Sequence, residues 1–204
     1  MSVIKHKGQR IAVFIDAQNL YHSARNLYDK RVNFGEVLKA GVGDRQLIRA
    51  IAYVITSETG EESAFFEALL KLGIETKTKD LKIFAGGAKK GDWDVGLAVD
   101  AITLAPKVDT VIIVSGDGDF VPAVEYVKHT GCQVEVMSFG KSSSKELVEA
   151  ADDFIDLDGD PHKYLIGSKG RRSSRRTTRR AVRRTPQKSI SRKAPVKRRT
   201  QSKK

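Results

Sequence analysis

Apolar and polar positions alternate in blocks up to Leu157. Arg10 to Asp16 is apolar until its closing acid and reads as a first strand, with Ala17 to Asn26 as a helix starting right after that acid. Asn33 is a fitting N-cap for a short helix holding Phe34, Val37 and Leu38, closed by Gly41 and Gly43. Leu47 to Ile55 reads as a second strand, Ser63 to Leu72 as a helix ended by Gly73, and Ile74 to Phe84 as a short strand or ribbon. A glycine and lysine loop, 85–91, precedes a helix from Asp92 to Ala105. That helix is apolar nearly all round, which predicts that it is largely buried. Pro106 stops it. Thr110 to Val114 is an unbroken Thr/Val/Ile run of the kind buried on both faces in the middle of a parallel sheet. Phe120 to Thr130 is a helix with Pro122 in its first turn. Gln133 to Phe139 and Asp153 to Leu157 read as strands, with a helix from Ser144 to Ala150 between them.

Strands alternating with helices predict an α/β fold with a central, mainly parallel sheet between helical layers. Residues 9–160 are the expected domain, after a disordered lead-in at 1–8. From 167 to 204 the composition changes to Arg, Lys, Ser and Thr with almost no large apolar residue, which predicts a disordered basic tail.

The net charge of +12 hides this division. The tail holds 17 of the 37 basic residues and no acid, so the remainder carries 20 basic against 25 acidic residues, a net of about −5. The pairs Arg171-Arg172, Arg175-Arg176, Arg179-Arg180 and Arg183-Arg184 recur at four-residue spacing. Such a run neutralises phosphates and predicts salt-sensitive binding to nucleic acid with little sequence preference. No aromatic residue is interleaved there, so the tail offers no base stacking. A single cysteine, Cys132, rules out an intramolecular disulfide and a cysteine metal cluster, and it is expected in the core. No apolar run approaches a membrane span, and Met1 to Lys7 lacks the apolar segment of a signal peptide. A cytoplasmic protein is expected.

Three segments bring acids to comparable places. Asp16 ends the first strand, Asp92 and Asp94 open the apolar helix, and Asp117 and Asp119 follow the central strand. Taken singly, each reads as well as a helix cap or a first-turn acid. If the two strands are neighbours, however, Asp16 and Asp117 share one sheet edge, where open α/β sheets place their ligands. A carboxylate cluster there suits a hard cation such as Mg²⁺ or Mn²⁺. Asp100, roughly 240° around the helix from Asp94, should point elsewhere. His22 reads as a surface or packing residue. No phosphate-binding Gly-x-x-x-x-Gly-Lys loop or dinucleotide fingerprint follows the first strand.

Phe14-Ile15-Asp16-Ala17-Gln18-Asn19, Lys90-Gly91-Asp92-Trp93-Asp94-Val95 and Val114-Ser115-Gly116-Asp117-Gly118-Asp119-Phe120 together resemble the three motifs of the NYN domain, LabA-like branch, within the PIN-like nuclease superfamily. The resemblance implies a Rossmann-like α/β/α sandwich and metal-dependent cleavage of RNA. It implies that Asp16, Asp94, Asp117 and Asp119 hold the metal, with Asn19 completing the catalytic set and Asp100 and Ser115 supporting it. Gly118 stands where relatives also carry Ser or Asn, which should loosen the turn. Lys89 and Lys90 are expected to touch the phosphate backbone. Nucleic acid, most simply RNA, is the expected partner, and a homo-oligomer is compatible with the sequence. A nucleic-acid-binding regulatory protein with little or no chemistry is the alternative.

Overall fold

The pairing that positions everything else is between two apolar runs far apart in sequence. The structure is a computed structural model that describes residues 3–56, 63–80, 82–83, 89–90 and 92–167, the four residues at 82–83 and 89–90 by backbone alone. In chain order its elements begin with β1 (Arg10–Asp16), α1 (Ala17–Tyr28), β2 (Arg31–Val32), α2 (Phe34–Val42), β3 (Gln46–Thr56) and α3 (Ser63–Lys71). There follow β4 (Glu75–Asp80), β5 (Lys82–Ile83), β6 (Lys89–Lys90), α4 (Asp94–Leu104), β7 (Thr110–Val114) and α5 (Val121–His129). The chain continues through β8 (Gln133–Ser138), α6 (Lys145–Ala150), β9 (Asp153–Asp156), α7 (Pro161–Tyr164) and β10 (Leu165–Ile166).

Six strands form one sheet in the order β4-β3-β1-β7-β8-β9, and every pairing in it is parallel. The chain builds outward from β1 through β3 to β4, then returns to β7 and builds outward the other way. The order therefore reverses between β1 and β7. Their register pairs Ile15 with Val114, so Asp16 and Ser115 leave the sheet side by side. Residues 11–15 and 110–114 are all buried, because helices cover both faces.

The period of two along β1 sorts its side chains into two cores. Ile11, Val13 and Ile15 pack with α1, α2 and α3 through Leu20, Val37 and Leu69. Ala12 and Phe14 pack with α4, α5 and α6 through Leu97, Val124 and Leu147. This is the expected three-layer α/β/α arrangement.

Several local expectations change. The apolar helix α4 is not largely buried: Leu97 and Ala101 face the core, whereas Val95 is 74% and Val99 54% exposed. An all-apolar composition carries no information about which face meets the sheet. The short strands β2 and β10 pair antiparallel, closing the end of the domain onto α1 and α2, a pairing too short for periodicity to reveal. Residues 89–90, expected in a loop, pair as β6 with β5. The lead-in is not loose over its described part: Lys5 Nζ lies 2.6 Å from Asp153 and 3.1 Å from Glu135. The basic run from 168 onward, with the arginine pairs, lies outside the described residues.

Glu135 is fully buried on β8 and is matched from several sides. Arg45 grips both carboxylate oxygens, one at 2.9 Å, and also donates to the carbonyl of Gly41. Gln133 Nε2 donates to Glu135 at 2.7 Å. A buried ion with one partner removed costs more than the pair contributes. Arg45→Met should lower the unfolding free energy by about 3 kcal/mol, the low end for such breaks because Lys5 and Gln133 still reach Glu135. Adding Glu135→Leu should restore most of the loss, as read by urea unfolding.

Candidate metal centre

At the carboxyl ends of β1 and β7 the backbone turns away from the sheet and its first polar groups need partners. Asp16 caps α1: its Oδ1 accepts the Asn19 N–H at 2.9 Å. Its Oδ2 accepts from the Ser115 hydroxyl at 3.1 Å. Asn19 reaches back across the edge, its Oδ1 accepting the Gly116 N–H at 3.0 Å. Asp117 caps the 3₁₀ turn that follows by accepting the Asp119 N–H at 3.0 Å, and donates its own N–H to Ser115 Oγ at 3.2 Å. Ser115 is fully buried and ties the two strand ends together.

The loop after β7 is pressed against the loop after β8. A Cβ at Gly116 would lie 2.9 Å from Ser143 Oγ and 3.1 Å from its Cα, and the Gly116 carbonyl accepts the Ser144 N–H at 2.9 Å. A Cβ at Gly118 would lie 3.0 Å from Ser144 Oγ, so glycine there permits close packing rather than loosening the turn.

Asp94 arrives from the other side of the sheet as the first residue of α4. It is not the cap: Trp93 holds that position without a side-chain hydrogen bond. Oxygens of Asp94, Asp117 and Asp119 lie within 4.8 Å of one another. Asp16 stands outside that trio, both its oxygens engaged as described, but close enough to act on it. Burial, then the charges of Asp16 and Asp117, push the Asp94 carboxyl up to about 6. The α4 dipole favours the anion at this position but does not offset those effects. Burial also raises the Asp16 carboxyl, against the hydrogen bonds from Asn19 and Ser115. Among the described residues no Lys or Arg forms an ion pair with any of the four acids. Three convergent carboxylates with no basic partner among the described residues fit a hard divalent cation by donor type.

A cleft of about 350 Å³ opens beside the acids. Asp16, Asp94 and Asp117 line it, with Gln18, Asn19, His22 and Asn26 of α1 along one wall and Tyr53 and Trp93 on another. Asp100 is elsewhere, as its helical angle indicates: it accepts from Tyr53 Oη at 2.5 Å and from Lys77 Nζ at 2.6 Å. The side chains of Lys89 and Lys90 lie outside the described residues. Sequence reasoning missed both walls; the signals that could have found them are the polar residues at 18, 22 and 26, a four-residue spacing, and the single tryptophan within Asp92-Trp93-Asp94.

The NYN domain family matches residues 10–158. The low amplitude and bright protein LabA of Synechococcus elongatus is 28% identical over 162 residues, covering 74% of this chain and 85% of the relative. An uncharacterised protein of Methanocaldococcus jannaschii is 31% identical over 156 residues, 75% of this chain but only 58% of the relative's length. Among solved structures, a protein of unknown function from Vibrio parahaemolyticus superposes with a TM-score of 0.72 at 32% identity, over 80% of this chain and all of that one.

Crowded carboxylates make the site a local liability. The folded chain retains a proton on Asp94 that the unfolded chain has lost between about pH 4 and pH 6, so this site's stability is present below pH 4 and lost as pH rises through 6. Asp94 is partly open to water, which limits the effect to about 1 kcal/mol. Asp94→Asn should therefore melt about 2–4 °C higher than the natural chain at pH 7.5 with chelator present, and no higher at pH 4. Calorimetry at the two pH values checks this.

Proposed function

Because the chain belongs to the NYN domain family and carries its acids in one cleft, we propose that it is a divalent-metal-dependent ribonuclease that hydrolyses phosphodiester bonds. The observation that carries this reading is the convergence of Asp94, Asp117 and Asp119 within 4.8 Å beside Asp16, from three separate segments. We take residues 9–160 as the reacting unit and 167–204 as a tail that recruits nucleic acid. The protein is read as cytoplasmic, and among the described residues no helix is long and apolar enough to cross a membrane.

Asp94, Asp117 and Asp119 would hold Mg²⁺ or Mn²⁺, with Asp16 positioned to hold the attacking water or to complete the ligand set. The cation would lower the pKa of a water and stabilise charge on the leaving oxygen. The protein's own part is positioning. Ser115 and the Asn19 N–H fix both oxygens of Asp16, and the Asp119 N–H fixes one oxygen of Asp117. The Gly116 N–H occupies Asn19 Oδ1, which leaves Asn19 Nδ2 as the donor free to meet a phosphate or sugar oxygen. Asp100 acts through Tyr53 and Lys77 rather than on the reacting atoms. The family supplies the nuclease precedent, and the basic tail suits RNA as substrate.

Asp117→Asn keeps a side-chain oxygen to cap the 3₁₀ turn, so the fold should survive. Cleavage of labelled single-stranded RNA in Mn²⁺ should fall by at least about 100-fold, and chelation should abolish it in the natural chain. Cleavage indifferent to both would leave a regulatory nucleic-acid-binding protein as the better reading. Removing residues 167–204 should weaken RNA binding and flatten its dependence on salt, with log K against log[salt] losing about 0.7 in slope for each phosphate contact removed. Filter binding across a salt series reads this directly.

A further inference from the structure

We propose that the cleft beside the acids is a subsite for one unpaired nucleotide, with its base stacked on Trp93 and its sugar and base edge met by amide and imidazole groups of α1. The placement rests on the nuclease reading, but the binding can be tested apart from it.

The indole is held as a fixed plate. Its Nε1–H donates to the Val54 carbonyl at 3.1 Å. The Tyr53 ring meets it edge-on, with centroids 5.5 Å apart at 61°. Tyr53 is itself anchored through Asp100. Gly96 completes the seat: a Cβ there would lie 2.6 Å from Trp93 Cε3, so only glycine lets the ring rest against α4. A tryptophan so thoroughly anchored could be buried outright, but this one stays partly exposed on the wall of the cleft. A rigid aromatic surface beside a reacting centre loses little entropy when a base lies on it.

The opposite wall has a different chemistry. Gln18, His22 and Asn26 stand at four-residue spacing on α1, with the Asn19 amide nearer the acids. Among the described residues no lysine or arginine lines the cleft. Such a wall does not grip a phosphate chain by charge. It offers hydrogen bonds to a base edge or a 2′-hydroxyl, the group that distinguishes RNA from DNA. The ammonium of Lys79 lies 5.5 Å over the indole and donates to the Asp92 carbonyl at 3.0 Å, so a base that stacks on that face displaces it and leaves its charge at the rim for a flanking phosphate. About 350 Å³ is small for a ligand pocket and accommodates a single nucleotide. A paired base has its faces covered by neighbours and could not stack there.

Trp93 is the only tryptophan, so intrinsic emission reports on this wall alone and is silent to binding by the tail. The full-length Asp117→Asn protein with Mg²⁺ would be titrated with a short unpaired RNA and with a blunt RNA duplex of the same length, both carrying an anisotropy label. Emission should quench saturably with the unpaired RNA and stay flat with the duplex, while anisotropy shows both bound. Flat emission with both, or equal quenching by the duplex, overturns the proposal. In an otherwise natural chain at about 0.3 M salt, where the tail contributes little, Trp93→Leu should raise KM for a short RNA about 5- to 150-fold, the size of one base–aromatic stack, with kcat changed far less. Trp93→Phe should recover most of that loss, which separates stacking from a folding defect. An unchanged KM in Trp93→Leu overturns the subsite and leaves the nuclease reading intact. Quenching without any cleavage by the natural chain supports the subsite and overturns the nuclease reading instead.

Discussion

The structure depends on holding like charges together. Asp16, Asp94, Asp117 and Asp119 repel one another, and burial together with that repulsion pushes Asp94 up to about 6. What holds them is the parallel pairing of β1 and β7, whose buried apolar residues carry the favourable free energy. The sheet order reverses between those two strands, so helices diverge and leave a crevice at their carboxyl ends. The acids sit in that crevice because it is the one place where strand ends from both halves of the sheet meet. Stability is generated in the sheet and spent at its edge.

Asp16 and Asp117 are each both a cap and a candidate ligand, so the two readings of an acid at a helix start are not rivals. Each carboxylate has two oxygens. A cap hydrogen bond occupies one lone pair and fixes the group's orientation, leaving other lone pairs for a cation. Asp117 keeps Oδ2 clear of the Asp119 N–H. Asp16 is more committed, since both its oxygens accept hydrogen bonds. That difference fits its position outside the tight trio. Capping thus supplies the rigidity that a metal site needs, at no cost in additional residues.

How much could be read from the sequence followed from whether the determining forces are local. The apolar runs of β1 and β7 and the acids at their ends are local signals, and the crevice followed from them. The 240° separation of Asp100 from Asp94 is helix geometry, and the structure sends Asp100 to Tyr53 and Lys77 instead. The failures are non-local. The exposure of Val95 and Val99 depends on how far α4 is covered, which composition cannot encode. The tethering of Lys5 depends on Glu135 and Asp153, more than a hundred residues away. The indole wall depends on Tyr53, Val54 and Gly96 arriving together from two segments. The arginine pairs belong to the other extreme, a compositional signal that needs no fold, and they lie outside the described residues.

The proposed reading divides recognition between two chemistries, one sensitive to salt and one nearly indifferent to it. The tail holds 17 positive charges, and its contribution to affinity comes from counterion release, which salt removes. The cleft has neutral amides, an imidazole and an aromatic plate around its acids, and stacking and hydrogen bonding are weakly screened. An acidic body would by itself repel RNA, so a cleft whose described lining holds no lysine or arginine needs a separate element to raise the local substrate concentration. A tail without aromatics, in turn, cannot choose among sequences or structures. Each part lacks what the other supplies, which gives a physical reason for one chain to carry an acidic domain and a basic extension together.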